Sequence, residues 1–432
     1  MAKSLIEGKI VAPEEIFLGG IEFDDESGLI TDVRSGTTSP SQAKDYEHIF
    51  RYSDYLIFPG FIDIHVHARE DTSGKNNYKE DIMTAAKAAR NGGVVAFFTM
   101  PNDPVPPVDL ETYLAKVELS RKAMRETGVN IRHYYAIMPG SKPFDVNAPA
   151  KSYLGHSTGN IGFERDEDIE PTLSQYGGKF IAFHCESPDV MAQHSNELKH
   201  EDKRPRLAEI KAIEEMIYLA EKYDFEGHVC HLSTKKGLEL ILNAKAKGLP
   251  ITSEVAPHHL YFTRKYREDE SNGLNLLQVN PPLREEEDRK ALFEAFKEGK
   301  IEYLATDHAP HTLEDKKKGA SGMPQLDTYG PFVTWLISQG VDPKVIARTC
   351  SYNPGLFLTR FSDDGKKYGK IEPGYQASLT VLDIDRKKFK VEREFLETKC
   401  GWSPFEWITF PGSVRAVFLD GRDHRSVNYL LH

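Results

Sequence analysis

His65 and His67 stand two residues apart at the end of Phe61-Ile62-Asp63-Ile64-His65-Val66-His67, an apolar run entered through Pro59-Gly60. In a strand this spacing turns both imidazoles to one face, where they can hold one metal ion between them. Arg69 continues that face if the strand runs on, and a fixed cation there suits a substrate with an anionic group. Later apolar runs end in groups of similar chemistry: Asn102, Lys151, His184-Cys185-Glu186, His231, His258-His259, and Asp307-His308-Ala309-Pro310-His311. Each alone is a weak signal. Together His65, His67, His184, His231 and Asp307 offer enough nitrogen and oxygen ligands for two divalent ions, and zinc suits imidazole and carboxylate best. Two ions sharing a hydroxide need a bridging anion, and a lysine supplies one only after its amine takes up carbon dioxide as a carbamate.

Something must bring these scattered positions together. From about residue 55 the chain alternates apolar strands with amphipathic helices. Strands are expected at 61–67, 94–100, 131–138, 150–154, 180–184, 228–232, 251–256 and 303–306. Helices are expected near 78–91, 108–126, 167–176, 207–223, 234–247, 285–297 and 329–358. This alternation predicts an α/β fold, a (β/α)8 TIM-like barrel, whose reactive groups gather at the C-terminal ends of its strands. A doubly wound sheet would need a Gly-rich phosphate turn after an early strand, and the sequence has none. Residues 1–55 and 366–432 instead carry short strand signals: 9–11, 15–23 and 29–33 in the first, 377–382, 388–391 and 413–419 in the second. The two ends are expected to pair into one small β-sandwich domain, leaving 56–365 as the barrel.

Composition narrows the partners. The 432 residues carry 55 basic and 66 acidic side chains, a net charge of −11, and Lys316-Lys317-Lys318 follows Glu314 and Asp315 in a mixed run. Nucleic acid and anionic membranes are therefore poor partners. Cys185, Cys230, Cys350 and Cys400 form no CxxC pair and suit reduced thiols in the cytoplasm. Cys185 and Cys230 each abut a histidine and read as small buried residues on the opposite strand face. The first residues have no apolar signal core, and no 18-residue apolar run occurs.

The motifs together resemble the amidohydrolase superfamily and, within it, the dihydroorotase family, from about residue 55 to 421. The carriers are Pro59 to Glu70, Met100-Pro101-Asn102, Lys151-Ser152-Tyr153-Leu154-Gly155 with Ser157-Thr158-Gly159-Asn160, and His184-Cys185-Glu186. They continue with His231-Leu232-Ser233-Thr234, Glu254 with His258-His259-Leu260, Asn280-Pro281-Pro282-Leu283-Arg284, and Ala305 to His311. Lys399-Cys400-Gly401-Trp402-Ser403-Pro404-Phe405 is similar to one bacterial branch of that family. The usual Leu before the arginine and Pro after the glutamate are here Ala68 and Asp71, neither expected at the metals.

The resemblance implies zinc-dependent, reversible cyclisation of N-carbamoyl-L-aspartate to L-dihydroorotate in pyrimidine biosynthesis. It implies two zinc ions, one on His65, His67 and Asp307, the other on His184 and His231, bridged by carbamylated Lys151 and hydroxide. Asp307 would also shuttle the proton. Arg69, Asn102 and His311 would hold the substrate carboxylate, Asn280 the pyrimidine ring, and the backbone at 322–325 would add contacts. A homodimer is a family expectation. Some branches use an aspartate as the bridge, which leaves Asp145, Asp166 and Asp168 open; His156 and His308 read as supporting residues. Other cyclic amidohydrolases (hydantoinase or dihydropyrimidinase, allantoinase) and an inactive scaffold are the competing readings.

Overall fold

The computed structural model describes residues 2–39, 41–156, 161–270 and 273–425; the motif Ser157-Thr158-Gly159-Asn160 lies outside the described residues. The chain opens with β1 (Lys3–Val11), β2 (Ile16–Asp24), β3 (Ile30–Ser35) and β4 (His48–Pro59). Eight barrel positions follow: β5 (Phe61–Val66), β6 (Val94–Thr99), β7 (Asn130–His133) continued as β8 (Tyr135–Ile137), β9 (Ala150–Tyr153), β10 (Phe180–His184), β11 (Glu226–Val229), β12 (Ile251–Val255) and β13 (Tyr303–Leu304). The chain ends with β14 (Leu379–Lys390), β15 (Thr409–Leu419) and β16 (Arg422–Arg425). These last three join the first four in one seven-stranded sheet of order β16-β15-β14-β4-β1-β2-β3.

The barrel ladder is parallel and runs as β5-β6-β7 and β8 through β13. Its third position breaks at Tyr134, whose N–H goes to Thr99 while that of Tyr135 goes to Pro149, so the strand changes neighbour there. A bridge between Val66 and His308 closes the ring, with the His67 N–H donating to His308 O at 2.7 Å. Every residue of β5 and β6 is buried, as expected of parallel strands covered on both faces. Gly60 makes the tight step from sheet to barrel, since a Cβ there would stand 2.5 Å from the Val95 side chain. Thr380 stitches the two parts: its hydroxyl donates to Gly93 O at 2.6 Å and accepts from Phe61 N–H at 3.2 Å.

Several elements differ from expectation for local reasons. The helix expected from 78 starts at Ile82, because Asp81 and Thr84 form a reciprocal cap there. The helical region expected over 329–358 is divided, with a new start at Pro343 capped by Asp342. β13 is two residues long instead of four, because the Thr306 N–H leaves the ladder for Asp63. Short helices Pro188–Gln193, Pro257–Tyr261 and Leu313–Lys317 occupy loops above the barrel. Each is too brief to leave a helical period in the sequence.

Candidate active site

His65, His67 and Asp307 meet where β5 ends and β13 turns away, with ligand atoms all within 4.8 Å of one another. His65 Nδ1 hydrogen-bonds Glu254, and His67 Nδ1 lies 2.6 Å from Asn102 Oδ1. A proton on each Nδ1 leaves each Nε2 as a lone pair, and these face Asp307 Oδ1 at 3.3 and 3.1 Å. Three lone-pair atoms facing one another repel unless a proton or cation lies among them. Two imidazoles and one carboxylate, with the rings fixed from behind, are a donor set that fits a divalent transition ion.

A second pair lies alongside. His184 Nδ1 is 3.0 Å from His231 Nε2, while His184 Nε2 is held by Glu186 at 2.9 Å. Glu186 is in turn gripped by Arg204. His231 Nδ1 is buried without a hydrogen-bond partner. The ring centres of His65 and His231 are 5.3 Å apart, so the two pairs share one cavity floor. Lys151, fully buried on β9, donates to Cys230 Sγ at 2.8 Å and sits 5.0 Å over the Tyr153 ring.

Burial lowers all four histidine pKa values, which favours the neutral, ligating imidazole. Burial raises that of Asp307, opposed by His65 and His258. For Glu254 burial works upward too, yet His65 and His228 hold it below the usual carboxylate range.

Arg69, Asn102, Asn280 and Gly322 line the same cavity as the ligand cluster. β5 ends at Val66, so Arg69 does not extend the strand as expected; it turns in through a left-handed backbone with φ 61°. Its guanidinium is buried, Nε has no partner, and Nη2 lies 3.3 Å from His311 Nε2. The other His311 nitrogen, Nδ1, is 3.4 Å from Lys79 Nζ. A neutral imidazole has one lone pair, so it can accept from one of these cations and must turn its N–H toward the other. Burial and both cations push the His311 pKa down. Asn280 Oδ1 is buried without a partner.

The remaining candidates lie elsewhere. Asp145 is exposed, Asp166 accepts from Ser187, and Asp168 pairs with Arg165; none lines the cavity. His156 is exposed. His308 is buried and locked, with Nε2 on Glu80 and Nδ1 accepting from Gln325 N–H at 3.0 Å. Cys230 is buried as expected but its thiol reaches Lys151, because β11 ends at Val229 and strand alternation lapses. Glu254, named in the sequence as a motif residue but given no role there, serves the His65 ring, the His231 N–H at 3.1 Å and His228 Nε2 at 3.0 Å. Its signal was a lone carboxylate inside the expected barrel strand, observed at Ile251–Val255. Glu186, two residues after His184, was missed as a partner in the same way.

The amidohydrolase family matches residues 56–423. The chain is 32% identical to the dihydroorotase of Pyrococcus furiosus, covering 96% of this chain and 91% of that one. It is 33% identical to the dihydroorotase of Thermococcus kodakarensis, covering 98% and 94%. The solved L-hydantoinase (dihydropyrimidinase) of Arthrobacter aurescens superposes with a TM-score of 0.86 over 98% of this chain and 96% of that one, at 21% identity, a likeness of fold. Since the matched span takes in every barrel strand and the relatives align almost end to end, the chain belongs to the amidohydrolase family, among its dihydroorotases.

Proposed function

We propose that the chain hydrolyses a cyclic amide reversibly, interconverting L-dihydroorotate and N-carbamoyl-L-aspartate in the cytoplasm. The observation that carries the substrate choice is Arg69. A buried guanidinium is normally paired, and among the described residues this one has no carboxylate within ion-pair distance while facing the ligand cluster. A ring carboxylate would satisfy it bidentately, with His311 and Asn102 beside it. Asn280 Oδ1, buried and unpartnered, is suited to a ring N–H. Hydantoin and allantoin carry no carboxylate and would leave Arg69 unpaired.

The site would take two zinc ions, with His65, His67 and Asp307 as ligands of one, His184 and His231 of the other, and Lys151, as a carbamate, as a further ligand. Zinc there supplies Lewis acidity toward the amide carbonyl and a nucleophile at neutral pH. Asp307 takes the proton of the nucleophile and returns it to the leaving nitrogen, base then acid. Its position supports this, because Oδ1 faces the ring nitrogens of both His65 and His67 at the cavity floor. Arg69 and Asn280 orient the ring so that its amide meets the cluster. The four cysteines are free thiols, which supports a reducing compartment. Among the described residues no helix is long and apolar enough to cross a membrane. Turnover of dihydroorotate, hydantoin and allantoin at equal concentration tests the reading; a preference for either of the latter two rejects it.

A further inference from the structure

Lys316 is fully buried, and its amine donates to two main-chain carbonyls, Gln278 O and Gly322 O, both at 2.9 Å. Burying an ammonium is costly unless something compensates. The two acceptors belong to different loops, and both loops reach the cavity: Gln278 stands two residues before Asn280, and Gly322 is itself in the wall. The loops also bond each other, Gly322 N–H to Gln278 O at 2.9 Å. They have little slack on the barrel side. Gly322 has φ 137°, and a Cβ there would stand 2.4 Å from Ala309 O.

Trp402, from the C-terminal part of the chain, closes the outside. It is wholly buried, its ring lies 5.9 Å from Lys316 Nζ, and its indole N–H donates to His311 O at 2.7 Å. One lysine and one tryptophan thus tie together the Asn280 loop, the Gly322 loop and the segment that carries His311.

We propose that Lys316, covered by Trp402, is a positioning residue for this site: it holds the two loops as the wall that meets the substrate ring, while Trp402 fixes His311. The inference rests on the functional reading above, in which Asn280 and His311 meet the substrate. Burial pulls the Lys316 amine down to about 7, with Glu270 and Cys400 working upward and Arg267 downward. A neutral amine still has two N–H bonds for two carbonyls, so the clamp holds in either charge state.

Lys316→Met and Trp402→Phe, compared with the wild-type chain for zinc content, Tm, kcat and KM on dihydroorotate, test it. Lys316→Met is expected to raise KM about tenfold or more with kcat within about threefold and zinc content unchanged. Trp402→Phe keeps an aromatic ring over Lys316, loses the N–H, and is expected to shift KM in the same direction by less. Wild-type KM in both variants, even with a lowered Tm, shows a purely structural role and overturns the proposal; so does a fall in kcat at constant KM. If Lys316→Met does not fold, Trp402→Phe decides alone. A wild-type chain that prefers hydantoin overturns the substrate reading instead, and the same KM comparison on hydantoin still decides the clamp.

Discussion

Asp307 Oδ1 faces two histidine nitrogens at once, and the proposed reaction asks the same carboxylate to carry a proton. Asp307→Asn should lower kcat by roughly 10²- to 10⁴-fold, the range for a lost acid–base group, measured on zinc-loaded protein. Lys151→Ala should lower both zinc content and turnover, because the proposed carbamate ligand is lost; wild-type values for both would reject the lysine assignment. Arg69→Met should raise KM about 100-fold with zinc retained, since a charged hydrogen bond is worth about 1.5–3 kcal/mol; loss of zinc would assign Arg69 to the metals. At this scale much was legible in sequence. His65, His67, His184, His231 and Asp307, singled out because each ends an apolar run, are brought by the fold to one cavity together with Arg69. Glu254, Glu186 and Cys230 were not read as partners, because their roles arise from contacts between strands that a linear pattern does not contain.

The elements place these groups by stopping at the right residue. β11 and β13 end just short of the site and β5 ends within it, between His65 and His67; Arg69, His231 and Asp307 each adopt a left-handed backbone beyond the last strand residue, with φ of 61°, 36° and 48°. Non-glycine residues pay for that conformation, and it persists where surrounding contacts over-determine it. Glu254 is one such contact, with a single oxygen taking both the His65 ring and the His231 N–H. Glu254→Gln should weaken zinc affinity about 10- to 100-fold, read by zinc retention against a chelator, with the protein still folded by circular dichroism. Unchanged retention would make Glu254 a packing residue. The strand–helix alternation was readable because periods of two and 3.6 differ. The backbone twists beyond the strands were not, since Arg, His and Asp have no composition signature for positive φ comparable to glycine's.

At the scale of the whole molecule, the sheet and the barrel meet at Thr380, with both its hydrogen bonds buried. Thr380→Val should cost about 1–3 kcal/mol for the groups left unpaired, seen as a lower Tm, while KM for substrate stays the same. The strand signals at both ends, and their joining into one unit, were readable in sequence; the order and register of the strands were not, because pairing over such separations leaves no local pattern. That pairing has a consequence for synthesis. β4 sits in the middle of the seven-stranded sheet, bonded to β1 on one side and β14 on the other, Pro59 opposite Leu379. Roughly 320 residues separate them, so at about 5–20 residues per second a ribosome leaves that edge bare for tens of seconds. An open edge of this kind invites a strand from a neighbouring chain. The nascent protein therefore passes through a long interval in which a neighbouring chain on the same polysome can reach that edge before β14 does.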